Sequence, residues 1–440
     1  MISWNLNPPN GLNTVQSASD PRQRKAAASK GFLRSFGRIP TLRSLRVRDF
    51  RLLWITGWCN NSSLWVEGVV LGWLIFQVTQ SALLTALSVG MGALPYVVIG
   101  PLGGVYIDRW NRKALLRACI AAHIVLTAAL TVIVFAEAVA AWHIFAYIFV
   151  NGAVRTLRMV IESSLIPNIV PGRLMTNGFS LFLMTASFTR FIVPAVTGVA
   201  IGLVGFGPTM TVALVLYMLA LVTTLRIQLR GKASQKSVVG SPASDLVEGI
   251  RYLTQEKRVL AIYVFPAMLM LFIAPVNMGL MPVYVDEVFE AGPDALGFII
   301  GALGAGMTLG TLILASLGDI RYKARAMAFA CWGTIAGVLL FSQTTFLPAA
   351  LAVVLTYSGL MMMIYVLAST AVQTIMPDRV RGRVTALLGA TFGVFPFGTL
   401  IVGGVAQRFG AQEAVIVTTV AFALCLAAYT SWYRRIWTLR

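Results

Sequence analysis

Acidic side chains are scarce in this chain: 16 Asp and Glu stand against 35 Lys and Arg in 440 residues, and charged residues of both signs make up only 12%. Soluble domains carry about a quarter of charged residues, so water is not the main solvent here. Cysteine occurs four times. Cys59, Cys119, Cys331 and Cys425 lie in apolar stretches without CxxC spacing, which argues against a disulfide framework or a zinc site and leaves no candidate metal ligands. HExxH, GxSxG and paired intramembrane aspartates are missing, so the chain has no enzyme signature. GxxxxGK[ST] is missing too, which argues against ATP-driven transport. Residues 1–49 contain no apolar core of a cleavable signal peptide, so the first spanning helix is expected to direct insertion; a basic transit peptide around Arg22, Arg24, Lys25, Lys30 and Arg34 is the alternative.

What the chain has in abundance is hydrocarbon, with 58% hydrophobic residues and a mean hydropathy of +0.79. Apolar windows of bilayer length fall near 53–78, 82–106, 114–136, 141–162, 174–203, 209–228, 258–285, 294–317, 325–345, 348–371, 383–407 and 412–433. An all-α membrane protein of twelve spans is therefore expected. A net charge of +19 would suggest nucleic acid if it formed a patch on a soluble face, but the basic residues sit at span ends. With a cytoplasmic N-terminus, the even-numbered connections hold Arg109, Arg112, Lys113, Arg173, Lys232, Lys236, Lys257, Arg321, Lys323, Arg379, Arg381 and Arg383. The outer connections hold Glu137, Asp286, Glu287, Glu290, Asp294 and Glu413, with Arg408 as their one basic residue. That asymmetry places both termini in the cytoplasm and the basic excess against anionic lipid of the plasma membrane, which in a bacterium is the inner membrane.

Two markers recur with one period. Pro167-Asn-Ile-Val170-Pro-Gly172-Arg173 and Pro377-Asp-Arg-Val380-Arg-Gly382-Arg383 share PxxVxGR at an offset of 210 (377 − 167), and Asp108-Arg109-Trp-Asn-Arg112-Lys113 returns weakened as Asp319-Ile-Arg321-Tyr-Lys323 at 211 (319 − 108). Copies on the same membrane side require an even number of spans per half, which six plus six satisfies. The expected organisation is a basic segment 1–49, a six-helix bundle 50–228, a linker 229–257, a second bundle 258–435 and a tail 436–440. The linker carries Gly231, Ser234, Ser237, Gly240, Ser241 and Pro242, then a short amphipathic helix from Asp245 to Leu253.

The loop Gly100-Pro-Leu-Gly-Gly104-Val-Tyr-Ile-Asp108-Arg109-Trp-Asn-Arg112-Lys113 resembles the cytoplasmic loop of the major facilitator superfamily. Together with Leu45 to Leu53, Asp245 to Leu253 and Pro377 to Val384, it is similar to the macrolide-efflux and enterobactin-exporter branch. The resemblance covers roughly residues 45 to 435. It implies two pseudo-symmetric six-helix bundles, alternating access and export. Arg190-Phe-Ile-Val193-Pro194-Ala-Val-Thr-Gly198 looks like the antiporter motif of drug exporters, with Val193 where that motif has glycine. Pro194 removes a backbone hydrogen bond, and with Gly198 it marks either a hinge or a tolerated kink.

Charges inside the spans are the candidate machinery. Asn60, Ser63 and Glu67 follow i, i+3, i+7 spacing on one face, expected to line the cavity. A lone carboxylate in hydrocarbon is costly, so Glu67 must be protonated, paired or wet. It is either the proton carrier or a structural carboxyl bonded to a neighbouring helix. Arg190 is a candidate partner for Glu67 or for an anionic group on the cargo, or else a snorkelling cation. Arg155, Arg158 and Glu162 repeat the same spacing and are expected, with Gly100, Gly104, Asp108, Arg109, Arg112, Lys113 and Asp319, to form a cytoplasmic gate. Asn277, Met281, Tyr357, Met361 and Tyr365 are candidates for an adaptable amphipathic pocket, or for plain helix packing. His123 and His143 read as packing residues.

The expected function is that of a monomeric secondary transporter exporting a small amphipathic molecule, such as a drug or a siderophore, against a proton gradient, with no bound cofactor. Uptake by the same fold is the alternative, followed by a receptor or assembly factor that has lost transport.

Overall fold

The computed structural model describes residues 40–109, 111–228, 256–318, 320–376 and 391–433, and every regular element among them is helical. In hydrocarbon a helix satisfies each backbone N–H within its own segment, which is why long apolar runs fold this way. The first six spans are α1 (Arg48–Thr79), α2 (Ala82–Arg109), α3 (Arg112–Phe135), α4 (Ala141–Ile169), α5 (Met175–Val204) and α6 (Phe206–Leu225). The seventh comprises α7 (Lys257–Phe272) and α8 (Met281–Phe289). The last five are α9 (Pro293–Leu317), α10 (Lys323–Ser342), α11 (Leu347–Ile375), α12 (Phe395–Phe409) and α13 (Ala411–Trp432). Eleven of these segments, counting α7 and α8 as one, are long and apolar enough to cross a membrane. With the 28-residue α2 they make the twelve spans.

Local chemistry sets the joints. The Asn111 side chain accepts from the backbone N–H groups of Lys113 (3.1 Å) and Ala114 (3.2 Å), so α3 begins there. At the start of α4, His143 Nδ1 accepts the Ala140 N–H at 3.0 Å. Single glycines with left-handed backbone join α5 to α6 (Gly205, φ +82°) and α12 to α13 (Gly410, φ +97°). Each joint closes the last helix pair of its half, which displays the internal repeat. The seventh span, expected over 258–285, runs as one helical stretch over Lys257–Phe289 with an irregular middle. Pro275 has no N–H to give, and a π-helical stretch over Val276–Leu280 carries the chain across the defect. Of the eleventh span, the described part opens with a 3-10 turn at Thr391–Val394 ahead of α12. The second PxxVxGR copy and the linker helix lie outside the described residues.

The N-terminal half packs α1 against α5 and α6, α2 against α4, and α3 against α4 and α6; the C-terminal half packs α9 and α10 on α11, and α13 on α10 and α12. The halves meet most extensively where α5 lies on α9 and α2 on α12. Both seams are built from backbone approach. A Cβ at Gly301 would stand 2.9 Å from Phe191 O, and one at Gly304 2.7 Å from Arg190 O. On the other seam a Cβ at Gly403 would stand 2.9 Å from Ala86 Cβ, and Ser81 donates to Gln407 Oε1 at 2.7 Å. Small residues permit such contact where hydrophobicity supplies no drive between helices. Large exposed apolar side chains such as Val132, Leu203, Leu312, Leu340 and Phe397 form the lipid-facing girdle.

Candidate functional site

Asn60, Ser63 and Glu67 share one face of α1, as their spacing requires, and that face looks into the N-terminal bundle. This differs from the expected cavity lining: the exposures are 0%, 0% and 3%, because α3, α4 and α6 close over them. Glu67 accepts hydrogen bonds from four side chains. Tyr147 Oη (2.6 Å) and Thr127 Oγ1 (3.0 Å) donate to Oε1; Tyr217 Oη (3.2 Å) and Asn151 Nδ2 (3.4 Å) donate to Oε2. Asn151 also donates to Tyr147 Oη at 2.7 Å, which sets that hydroxyl's orientation. No ion pair to Glu67 is found among the described residues.

One level nearer the terminal end, Arg158 Nη1 and Glu162 Oε1 form a buried ion pair of 2.8 Å, and Asn60 Nδ2 donates to the same oxygen at 2.7 Å. His123 stacks on Tyr217 with ring centroids 4.9 Å apart, and neither of its ring nitrogens has a hydrogen-bond partner. Ser63 donates to Ala213 O at 3.1 Å. These groups form one buried polar column inside the half-bundle.

Arg190 does not meet Glu67. It sits where α1, α5 and α9 converge, with its guanidinium carbon 5.6 Å from the Trp65 ring centroid and Nη1 donating to Met307 Sδ at 3.1 Å. Its Nε is unpartnered. Pro194 and Gly198 lie one and two turns further along α5, in backbone contact with Gly297 of α9.

The expected gate is only partly drawn together. Arg158 and Glu162 pair with each other inside the N-terminal half and do not reach toward the other half; Arg155 Nη2 reaches Gly92 O at 3.5 Å, beside the α2–α4 crossing. Arg112 Nη1 donates to Ser164 O (3.2 Å), and Lys113 Nζ to Ile227 O, so both brace the terminal end of a single half. Gly100, Gly104, Asp108 and Arg109 fall on the helical backbone of α2, their side chains lying outside the described residues, as does Asp319. In the C-terminal half, Tyr357 Oη donates to Asn277 Oδ1 (2.7 Å) and Asn277 Nδ2 to Met361 Sδ (3.4 Å). Asn277, Met281, Tyr357 and Met361 are all buried, so they pack the seventh span on α11 instead of lining an open pocket; Tyr365 alone is partly exposed, 6.4 Å from Phe392.

A family model described as transmembrane secretion effector matches residues 39–437. The chain belongs to this family of major facilitator transporters. Among its relatives, macrolide efflux protein A of Streptococcus pyogenes is 24% identical over 401 residues, covering 87% of this chain and 96% of the relative. The multidrug efflux pump Tap of Mycolicibacterium fortuitum is 23% identical over 382 residues, covering 81% and 88%. A solved structure of the nucleoside transporter NupG superposes with a TM-score of 0.75 at 14% identity, covering 88% of this chain and all of that one, which shows the shared fold. The transmembrane secretion effector fold thus holds the polar column inside one half and Arg190 at the seam between halves.

Sequence reasoning missed Thr127, Tyr147, Asn151 and Tyr217. A signal existed for two of them: Tyr147, Asn151, Arg155, Arg158 and Glu162 run at steps of four, four, three and four, which extends the charged face of α4 by two turns. Thr127 and Tyr217 carry no such mark, because a hydroxyl in a membrane helix most often bonds its own helix backbone.

Proposed function

We propose that this chain is a proton-coupled exporter of a small amphipathic molecule, working by alternating access in the plasma membrane with both termini cytoplasmic. Support for export comes from the efflux relatives named above. The observation that carries the coupling is the hydroxyl cage of Glu67. A carboxylate kept only for structure is best served by a fixed cation, as Glu162 is by Arg158. Glu67 instead faces three hydroxyls and one amide. Hydroxyls donate to an ionised carboxylate, and after a rotation they accept from a protonated one, so the cage serves both states with little rearrangement. A titratable group inside a membrane that can be satisfied either way is suited to carry a proton.

The test is accumulation of amphipathic fluorescent dyes in cells expressing the chain or its Glu67→Gln variant, with and without a protonophore. Lower accumulation that disappears with the protonophore and with Glu67→Gln supports the proposal. Higher accumulation would mean uptake, and unchanged accumulation of every dye would return the chain to the non-transporting class.

A further inference from the structure

The charges in the middle of the described spans do not balance, with Glu67, Arg158 and Glu162 buried and Arg155 and Arg190 partly exposed. Away from span ends, the N-terminal half holds Glu67, Arg155, Arg158, Glu162 and Arg190, and the C-terminal half holds none. Three cations against two carboxylates leave the mid-span region with at least one excess positive charge. Both carboxylates are committed elsewhere, Glu67 to its cage and Glu162 to Arg158 and Asn60.

Arg190 is where that excess meets the seam between the halves. It stands fifteen residues beyond Met175 and fourteen before Val204 in α5, which puts about 21 Å or more of helix between it and either end. Snorkelling to an interface is out of its reach. Its partners are soft ones: a thioether sulfur, a weak acceptor, takes Nη1, while the Trp65 ring faces the cation and Nε has no partner. A guanidinium offers five donors in a planar fork matched to carboxylate and phosphate geometry. Among the described residues no oxygen acceptor meets this fork, which lies beside a flat aromatic surface where α1, α5 and α9 of the two halves converge.

We infer that the transported molecule is an amphipathic anion, whose acidic group is held by Arg190 and whose apolar body lies along Trp65 and Met307. This inference rests on the transport reading above and names its substrate class. A cationic cargo would instead meet a like charge in a low-dielectric wall.

The experiment compares efflux of three probes from expressing cells: carboxyfluorescein, generated inside from its ester; ethidium, a cation; and Nile red, which is neutral. The expected result is faster loss of carboxyfluorescein than of ethidium. Arg190→Gln should lower the anion-to-cation efflux ratio about tenfold or more, and Arg190→Lys should restore part of it. Equal membrane abundance of the variants is checked by immunoblot. Export of ethidium or Nile red without carboxyfluorescein overturns the anion assignment and leaves the exporter reading standing. Equal loss of anion and cation efflux in Arg190→Gln also overturns it, since a purely structural arginine would behave so. No export of any probe removes the transport reading and this inference together.

Discussion

Glu67 and Glu162 are two buried carboxylates satisfied in different ways, and the difference predicts different mutational costs. Removing the Glu67 acceptor leaves Tyr147, Thr127, Tyr217 and Asn151 without it. Each abandoned donor costs about 1–3 kcal/mol, less where it finds a new partner. Thermal unfolding in detergent should therefore rank wild type above Glu67→Gln, which keeps an acceptor oxygen, and Gln above Glu67→Ala; an alanine variant as stable as wild type would show that the cage is not formed. For the ion pair, Arg158→Ala strands a buried carboxylate and should cost about 3–5 kcal/mol. Replacing both partners, as Arg158→Met with Glu162→Gln, should recover most of that loss, because the stranded charge is gone. If the double variant is no more stable than the single one, the 2.8 Å pair is not the source of the cost.

Among elements, the α5–α9 seam is the most demanding piece of packing between the halves. Gly297, Gly301 and Gly304 form a stripe on α9 that lets the backbone of α5 approach, and Pro194 keeps part of the facing helix without an internal hydrogen bond. A side chain at Gly301 must displace Phe191 O, which belongs to backbone and cannot rotate away. Gly301→Val is expected to reduce dye efflux at least about tenfold while the chain remains in the membrane, since misfitting helices shift as bodies. Gly202→Val on α5 is the control, because nothing lies within 4 Å of a Cβ there, and it should leave efflux near wild type. Equal efflux in both variants would detach the seam from transport.

For the whole molecule, contacts between halves among the described residues include a group at the end where α1 closes at Thr79. There Gly72 of α1 faces Pro282 of α8, with 3.4 Å between a built Cβ and the proline ring, and Ser81 meets Gln407. Alternating access requires this end to part during each cycle. A Gly72→Cys, Pro282→Cys pair joined by a short bifunctional thiol reagent should therefore stop efflux, and cleavage of the link should restore it. Cys59, Cys119 and Cys331 are buried, so only the exposed Cys425 needs prior replacement. Undiminished efflux by fully cross-linked protein would mean that this end does not open.

The sequence by itself determined the class of solvent, the all-helical make-up and the number of spans. Each of these follows from bilayer thickness and from the obligation of a backbone in hydrocarbon to bond internally. It also determined that Asn60, Ser63 and Glu67 share a face, and likewise Arg155, Arg158 and Glu162, because helical pitch is a local property. Only the tertiary structure decided where those faces point. In water an apolar stripe must face the core, but in a membrane lipid and core are equally apolar, so the pattern along a span does not say which neighbour a polar face meets. Glu67 could have lined a cleft or met Arg190 with no change in spacing. The packing of α3, α4 and α6 over α1 put it in a hydroxyl cage, and the convergence of α1, α5 and α9 left Arg190 at the seam with no carboxylate partner among the described residues.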